Sequence, residues 1–398
     1  EPHDMLMPMF VAADPVKPRI VVNSPYMGSR SIDLESGGMS GLNKGRIRDE
    51  VVFDAAGHLY GYGQWGENIV LRYDADGRPV PFKATGKNAL HVPIYCRGHV
   101  GGRGLCIAPD GTIYALANRR MGEGGDSATR LMVYAPDGTL KNDRLVSGLG
   151  EGDCGVGVDA AGNVYLGVNI RPADKPYPPE FAGELPGAEG QGPIAWWWWP
   201  DARKGSSAST GPRPAPWSYL YTNPYLYDWG AVFKFGPDGG TVWRKPLDRR
   251  KDAPDKPPAN ATSYRSGYLS REAAVAGAKW RYHGFGPCPI SGQPWGDPGC
   301  CCYDGRFAVD PFGRVFLPNP FAFCVEAIDT AGNRIARIGG YGNSDSAGPE
   351  SAEPAPAIAF ALPFAAAKLG DKVYVTDVVN DRVAAVNLVW SAEATCDL

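Results

Sequence analysis

Four charged residues, Asp49, Arg103, Asp153 and Asp304, each stand just ahead of a short apolar run in a repeating pattern. Asp153 and Asp304 also keep the same spacing to a second aspartate, Asp159 and Asp310. Carboxylates that converge from separate parts of a chain offer the oxygen ligands a hard divalent cation such as Ca²⁺ takes, which makes Asp49, Asp153 and Asp304 the candidate metal ligands. The plainer use of the same side chains is to cap strand ends and bond exposed amides.

A second constellation is HVPIYCRGH, in which His91 and His99 flank Cys96. Imidazole and thiolate are metal ligands and also a base and a nucleophile, but this spacing matches no motif of known geometry, and a structural role is the simpler reading. Four of the nine cysteines, Cys288, Cys300, Cys301 and Cys302, fall in a Gly/Pro-rich stretch with few other means of ordering itself, so they are the disulfide candidates. A metal site there is the sharper alternative, although adjacent cysteines lack zinc-knuckle spacing. The run Trp196, Trp197, Trp198 and Trp199 cannot all face one core, because neighbours on a strand point to opposite sides. It reads either as a satellite core with the Tyr-rich segment 217–229 or as an aromatic anchor for another protein chain, a second copy of this one, or a glycan.

Several chemistries find no support. Cys-x-x-Cys-His is absent, so c-type haem is not expected. The stretch GHVGGRG, 98–104, lacks the lysine of a phosphate-binding loop and precedes a strand, and no Gly-x-Ser-x-Gly elbow occurs. The 40 basic residues nearly balance the 43 acidic ones, so no global field draws the chain to nucleic acid. The longest apolar candidate, 357–367, is interrupted by Pro363 and too short to span a membrane as a helix. The chain begins at Glu1 without an initiator Met and shows no signal peptide, which fits an exported, periplasmic or cell-surface protein whose leader was removed.

The elements that must position these residues are short strands. The stretch 307–338 alternates apolar runs with turns at Asp310–Gly313 and Asp329–Gly332, the Asp-x-x-Gly pattern of a type I turn closed by a glycine at positive φ. The same four-strand pattern recurs from Arg48, from Gly104, from Gly155, where the copy is expected to close with Ala231 to Trp243, and from about Ala357, with an incomplete copy at 19–34. The first turns align an aromatic at Tyr60, Tyr114, Tyr165, Phe316 and Tyr374, and the second turns align Gly77, Gly138, Gly239 and Gly332. Such meanders need copies packed alongside, and a closed ring removes exposed sheet edges. The expectation is therefore an all-β, six-bladed β-propeller, one domain over 1–398, its ring closed by N- and C-terminal strands sharing a blade. Long insertions are expected at about 171–228 and 248–300, with one short helix over 270–280.

The segment VYVTDVVNDRV, 373–383, and the recurrent Val-Asp-x-x-Gly-x-apolar-aromatic of 158–165 and 309–316 resemble NHL-repeat propellers and the related gluconolactonase/regucalcin-like propellers. The resemblance covers the repeat cores, about half of the chain. It implies a divalent metal at the channel mouth held by a Glu, an Asn and an Asp. Asp49 falls where that Glu would be, Arg103 where the Asn would be, and Asp153 near the Asp with one extra residue. Arg103 would set a fixed positive charge beside the metal. The leading expectation is thus a non-catalytic binding or assembly module that works through its aromatic inserts, with Arg103 and His99 as further binding candidates. The alternative is a metal-dependent hydrolase of the gluconolactonase-like class.

Overall fold

The computed structural model describes residues 8–24, 28–42, 47, 50–63, 69–91, 102–118, 129–150, 153–174, 230–245, 256–266, 272–285, 305–320, 322–342 and 356–390. All regular structure among them is β. Among the described residues, six antiparallel meanders follow one another. The first holds β1 (Phe10–Ala13), β2 (Arg19–Ser24), β3 (Gly28–Asp33) and β4 (Met39–Leu42). The second holds β5 (Val51–Phe53), β6 (Leu59–Tyr62), β7 (Ile69–Tyr73) and β8 (Ala89–His91). The third holds β9 (Gly102–Ile107), β10 (Ile113–Asn118), β11 (Thr129–Tyr134) and β12 (Leu140–Asn142).

Beyond β13 (Val146–Ser147), the fourth meander opens with β14 (Cys154–Val158) and β15 (Val164–Val168). The chain then leaves it through β16 (Ile170–Pro172) and returns for β17 (Gly230–Phe235). It leaves again through β18 (Gly240–Arg244), β19 (Thr262–Ser266) and β20 (Glu272–Ala276), and completes the meander with β21 (Ala278–Phe285). The excursions form an accessory five-stranded sheet in the order β13-β18-β20-β19-β16. The fifth meander is β22 (Ala308–Val309), β23 (Val315–Asn319), β24 (Cys324–Ile328) and β25 (Arg334–Ile338). After the parallel pair β26 (Gly340–Tyr341) and β27 (Ala359–Phe360), the three-stranded sixth is β28 (Pro363–Leu369), β29 (Lys372–Asp377) and β30 (Arg382–Asn387).

The first strands of the meanders are neighbours in the cyclic order β1, β5, β9, β14, β22, β28 and back to β1. This is the propeller arrangement, with the first strand of each sheet innermost. Apolar clusters between successive sheets hold the ring, such as Tyr165, Phe285, Phe307 and Leu317 between the fourth and fifth. The hairpins have the chemistry their sequence predicts. Asp54, Asp159 and Asp310 each receive the amides two and four residues on with one carboxylate oxygen, at 2.9–3.0 Å. The glycines three residues on, Gly57, Gly162 and Gly313, have φ of 80, 76 and 82°, which a side chain would strain.

Three expectations need correction. The described part of the expected helix, residues 272–280, is strand: Glu272–Ala276 is a central strand of the accessory sheet and Gly277, at φ 84°, turns the chain into β21. Ala273, Ala274 and Val275 are all buried there, and covering both faces of the segment outweighs alanine's helix propensity. Next, β18 is not the fourth strand of its blade. It crosses to pair with β20 and, in parallel, with β13, and the blade is closed by β21, so part of the expected insertion 248–300 belongs to the ring. Finally, the terminal strands do not share a sheet among the described residues. Residues 10–42 form a complete meander that packs on the last one, with Phe10 edge-on to Phe364 and the Thr376 hydroxyl donating to the Met9 carbonyl at 3.2 Å.

Candidate functional site

Every inner strand runs the same way, so the residues just before it gather at one end of the ring. Four consecutive sheets place Glu50, Arg103, Asp153 and Arg306 there, alternating acid and base. Of the residues singled out in the sequence, Arg103 and Asp153 are thus brought to one end. Asp49 and Asp304 lie outside the described residues, as do His99, Trp196, Trp197, Trp198, Trp199, Cys288, Cys300, Cys301 and Cys302. Cys106 and Cys324 are free thiols. Among the described residues no group of three His, Cys, Asp or Glu is arranged to hold a metal, and no helix is long and apolar enough to cross a membrane.

Asp153 is fully buried and committed inside the fold. One oxygen accepts from the Arg244 guanidinium at 2.6 Å and the Asn169 amide at 2.8 Å, and the other accepts from the Gly150 amide at 2.6 Å. A guanidinium this close is a poor neighbour for a cation, and the carboxylate as placed does not fit a metal ligand. As placed, its oxygens cap the Gly150 and Asn169 amides. Arg103 is 2% exposed at the start of β9, where the backbone runs tight: a side chain at Gly102 would meet the Tyr62 ring and one at Gly104 the Val156 amide.

The residues that the sequence reading missed are Glu50 and Arg306. Glu50 precedes β5 of the second sheet and Arg306 precedes β22 of the fifth, three places apart in the cyclic order and therefore on opposite sides of the ring. Their side chains meet across it at 2.8 Å, with Glu50 7% and Arg306 4% exposed. The guanidinium also lies 5.1 Å from the centre of the Phe10 ring and donates to the Gly305 carbonyl at 3.1 Å. Backbone bonds from Arg306 to Phe364 and from Ala366 to Arg306 tie the same residue to the sixth sheet. One arginine thus joins the first, second, fifth and sixth sheets. The available signal was the opposite charge immediately ahead of the inner strands of two copies that face one another.

Beyond the ion pair, the axis of the ring holds a cavity of about 190 Å³ lined by all six inner strands. Cys106 is among the lining residues, its side chain packed against the core cluster of the third and fourth sheets, and burial pushes its pKa up to about 12, so the thiolate is not formed at neutral pH. Lys368 lines the cavity in the sixth sheet, and burial pulls its pKa down.

Neither a protein-family model nor a curated protein sequence matches the chain. It is similar in structure to β-propellers. A gluconolactonase from Xanthomonas campestris is 12% identical over 97% of this chain and 87% of its own, with a TM-score of 0.44. A regucalcin from Agrobacterium tumefaciens, described as calcium-binding, is 12% identical over 94% and 83%, with a TM-score of 0.40. An oxidoreductase of the glucose dehydrogenase kind from Thermus thermophilus is 12% identical over 94% and 92%, with a TM-score of 0.48.

Proposed function

We propose that the chain is an exported propeller that serves as a binding or assembly module, with the ring as scaffold and the aromatic-rich insertion as the contact element. The observation that carries this reading is the commitment of charge at the end of the ring where the inner strands begin. Asp153 is satisfied by Arg244 and two amides, and Glu50 by Arg306, so these groups serve the fold. The accessory sheet supports the same reading. The chain enters residues 175–229 directly from β16, whose Ile170 is fully buried, and rejoins the ring at β17, which is buried along its length, so the segment is anchored at both ends on rigid strands. Its Trp196 to Trp199 run would engage another protein chain, a second copy, or a glycan.

The test joins assembly and chemistry. Replacing Trp197 and Trp198 by Ala should change the assembly state in light scattering, or abolish glycan-array binding, while the melting temperature holds. Lost stability with unchanged assembly and binding would instead make the segment a satellite core. In parallel, the purified protein is assayed for bound metal and for lactone hydrolysis with Ca²⁺, Mg²⁺, Mn²⁺ or Zn²⁺. Metal-dependent turnover that disappears in Asp153→Ala would overturn the module reading in favour of a gluconolactonase-like hydrolase using Asp49, Asp153 and Asp304.

A further inference from the structure

Five of the six ring sheets have four strands, and among the described residues the sixth stops at its third, β30. The segment that leaves β30 does not turn back along it. The Leu388 amide donates to the Asp371 carbonyl at 2.7 Å, and the Trp390 ring lies 4.3 Å from the Arg314 guanidinium of the fifth sheet. The Leu388 bond also sets the phase of the ladder. In an antiparallel pair, residues that exchange bonds with the neighbouring strand alternate with residues that turn theirs away, and the β29 to β30 register runs without a shift. Arg382, Ala384 and Val386 therefore bond β29, while Val383, Ala385 and Asn387 turn their N–H and C=O groups to the open edge.

An outer edge invites another strand unless it is short, bent or interrupted. The other outer strands have such devices: β4 is four residues with Gly41 among them, β8 and β12 are three, and β12, β21 and β25 join their neighbours through register shifts. β30 has six residues, RVAAVN, in unbroken register. Its sequence also complements itself. Antiparallel pairing of two copies about Ala385 joins the outward-turned groups, Ala385 to Ala385 and Val383 to Asn387, and sets the small apolar side chains of Ala384 and Val386 side by side. Arg382 then shares a row and a face with Leu388 of the second copy and, one strand further, with its exposed Asp371, so a cation faces an anion at each end of the contact. Arg382 gives Nη2 to the Ala359 carbonyl and Asp377 and remains half-exposed. Val379 leads into the strand and Val389 and Trp390 follow it, at 62, 90 and 44% exposure, and the same pairing brings these two apolar ends together.

We propose that β30 is a docking edge for a second copy of this chain, the two strands running antiparallel with Ala385 against Ala385, so that two sixth sheets become one. This contact is independent of the aromatic insertion. The test is sedimentation velocity of the full chain over a concentration series, with a concentration-dependent dimer as the expected result. Ala385→Pro removes an N–H that points away from β29, so the sheet keeps its own bonds, and it should leave a monomer with an unchanged melting temperature. Asp371→Arg should weaken the dimer by roughly tenfold. Under mild oxidation Ala385→Cys should crosslink beyond the wild-type level, since the paired Cα atoms would lie about 5.5 Å apart. Asn387→Cys should not, because its twin would be displaced by about 14 Å along the strand. Crosslinking at residue 385 reads this contact even where Trp197 and Trp198 drive an assembly of their own. A monomeric wild type, which would leave the edge to another segment or another protein, would overturn the proposal. So would a dimer untouched by Ala385→Pro, no crosslink in Ala385→Cys, or equal crosslinking in Asn387→Cys.

Discussion

The two ends of the inner strands use the same residue types in opposite ways. At the hairpin end, Asp54, Asp159 and Asp310 bond amides two and four residues away, so each turn carries its own cap. At the other end, Asp153 is met by Arg244 from 91 residues on, and Glu50 by Arg306 from 256 residues on. Local caps fix the shape of one hairpin, whereas the distant pairs fix which sheets face one another. The difference matters energetically too. A buried ion pair adds little net stability over a well-packed apolar pair, but removing one member strands the other charge without water. The distant pairs should therefore be costly to halve and cheap to replace whole.

Arg306→Ala should break the comparison most. It leaves Glu50 buried and removes the contact with Phe10, and we expect a loss of about 3–5 kcal/mol in urea unfolding. The double change Glu50→Leu with Arg306→Met should recover most of that loss. A double variant no more stable than Arg306→Ala would mean that the pair, not merely its completeness, holds the ring. Next in size is Asp153→Ala, which orphans Arg244 and two amides. A loss of about 2–4 kcal/mol is expected, with Asp153→Asn milder because it keeps an acceptor. A loss under about 1 kcal/mol would show that the Arg244 contact is not formed in solution.

How much of this was legible follows the same division. The Asp-x-x-Gly turns can be read because donor, acceptor and the positive-φ glycine lie within five residues, and the meanders follow from them. Where the pattern is interrupted the reading failed: the turn at Gly239 looks like the other second turns, yet β18 leaves its blade because the accessory sheet offers it partners on both sides. The alanines of 272–276 mislead for a related reason, since only the tertiary arrangement buries them on both faces. Asp153 was visible as a strand-end residue, but its partner was not, because Arg244 sits on a strand that the turn pattern assigns elsewhere. Glu50 was passed over for Asp49 beside it, since a spacing argument does not reveal which acid has a partner 256 residues on.

A smaller effect should come from the hairpin caps. Asp159 is buried, which alone would raise its pKa, but hydrogen bonds from the Asn163 side chain and amide and from the Tyr165 hydroxyl, with Lys234 at 3.4 Å, bring it below the ordinary carboxylate value. Its contribution is complete above the unfolded value near pH ~4 and is lost as the pH falls through the lower folded value. Asp159→Asn should cost about 1–2 kcal/mol at neutral pH. The gap between wild type and variant in urea midpoints should close below about pH 4. A gap that widens with acid would reverse the assigned direction.

The smallest effect separates backbone capping from side-chain pairing at the hairpin end. His58 Nδ1 lies 2.9 Å from the second oxygen of Asp54, with the imidazole about one-third exposed, while the first oxygen holds the amides of Ala56 and His58 and the Tyr60 hydroxyl shares the second. If the caps act through the backbone, His58→Ala keeps every one of those bonds. The loss should then stay under about 1 kcal/mol, the range of an exposed pair, and should not vary with salt, because the amides are unscreened neighbours of the carboxylate. A larger loss, graded with ionic strength, would mean that the imidazole is part of the cap, and that even the hairpin end depends on side-chain pairing of the kind that closes the ring.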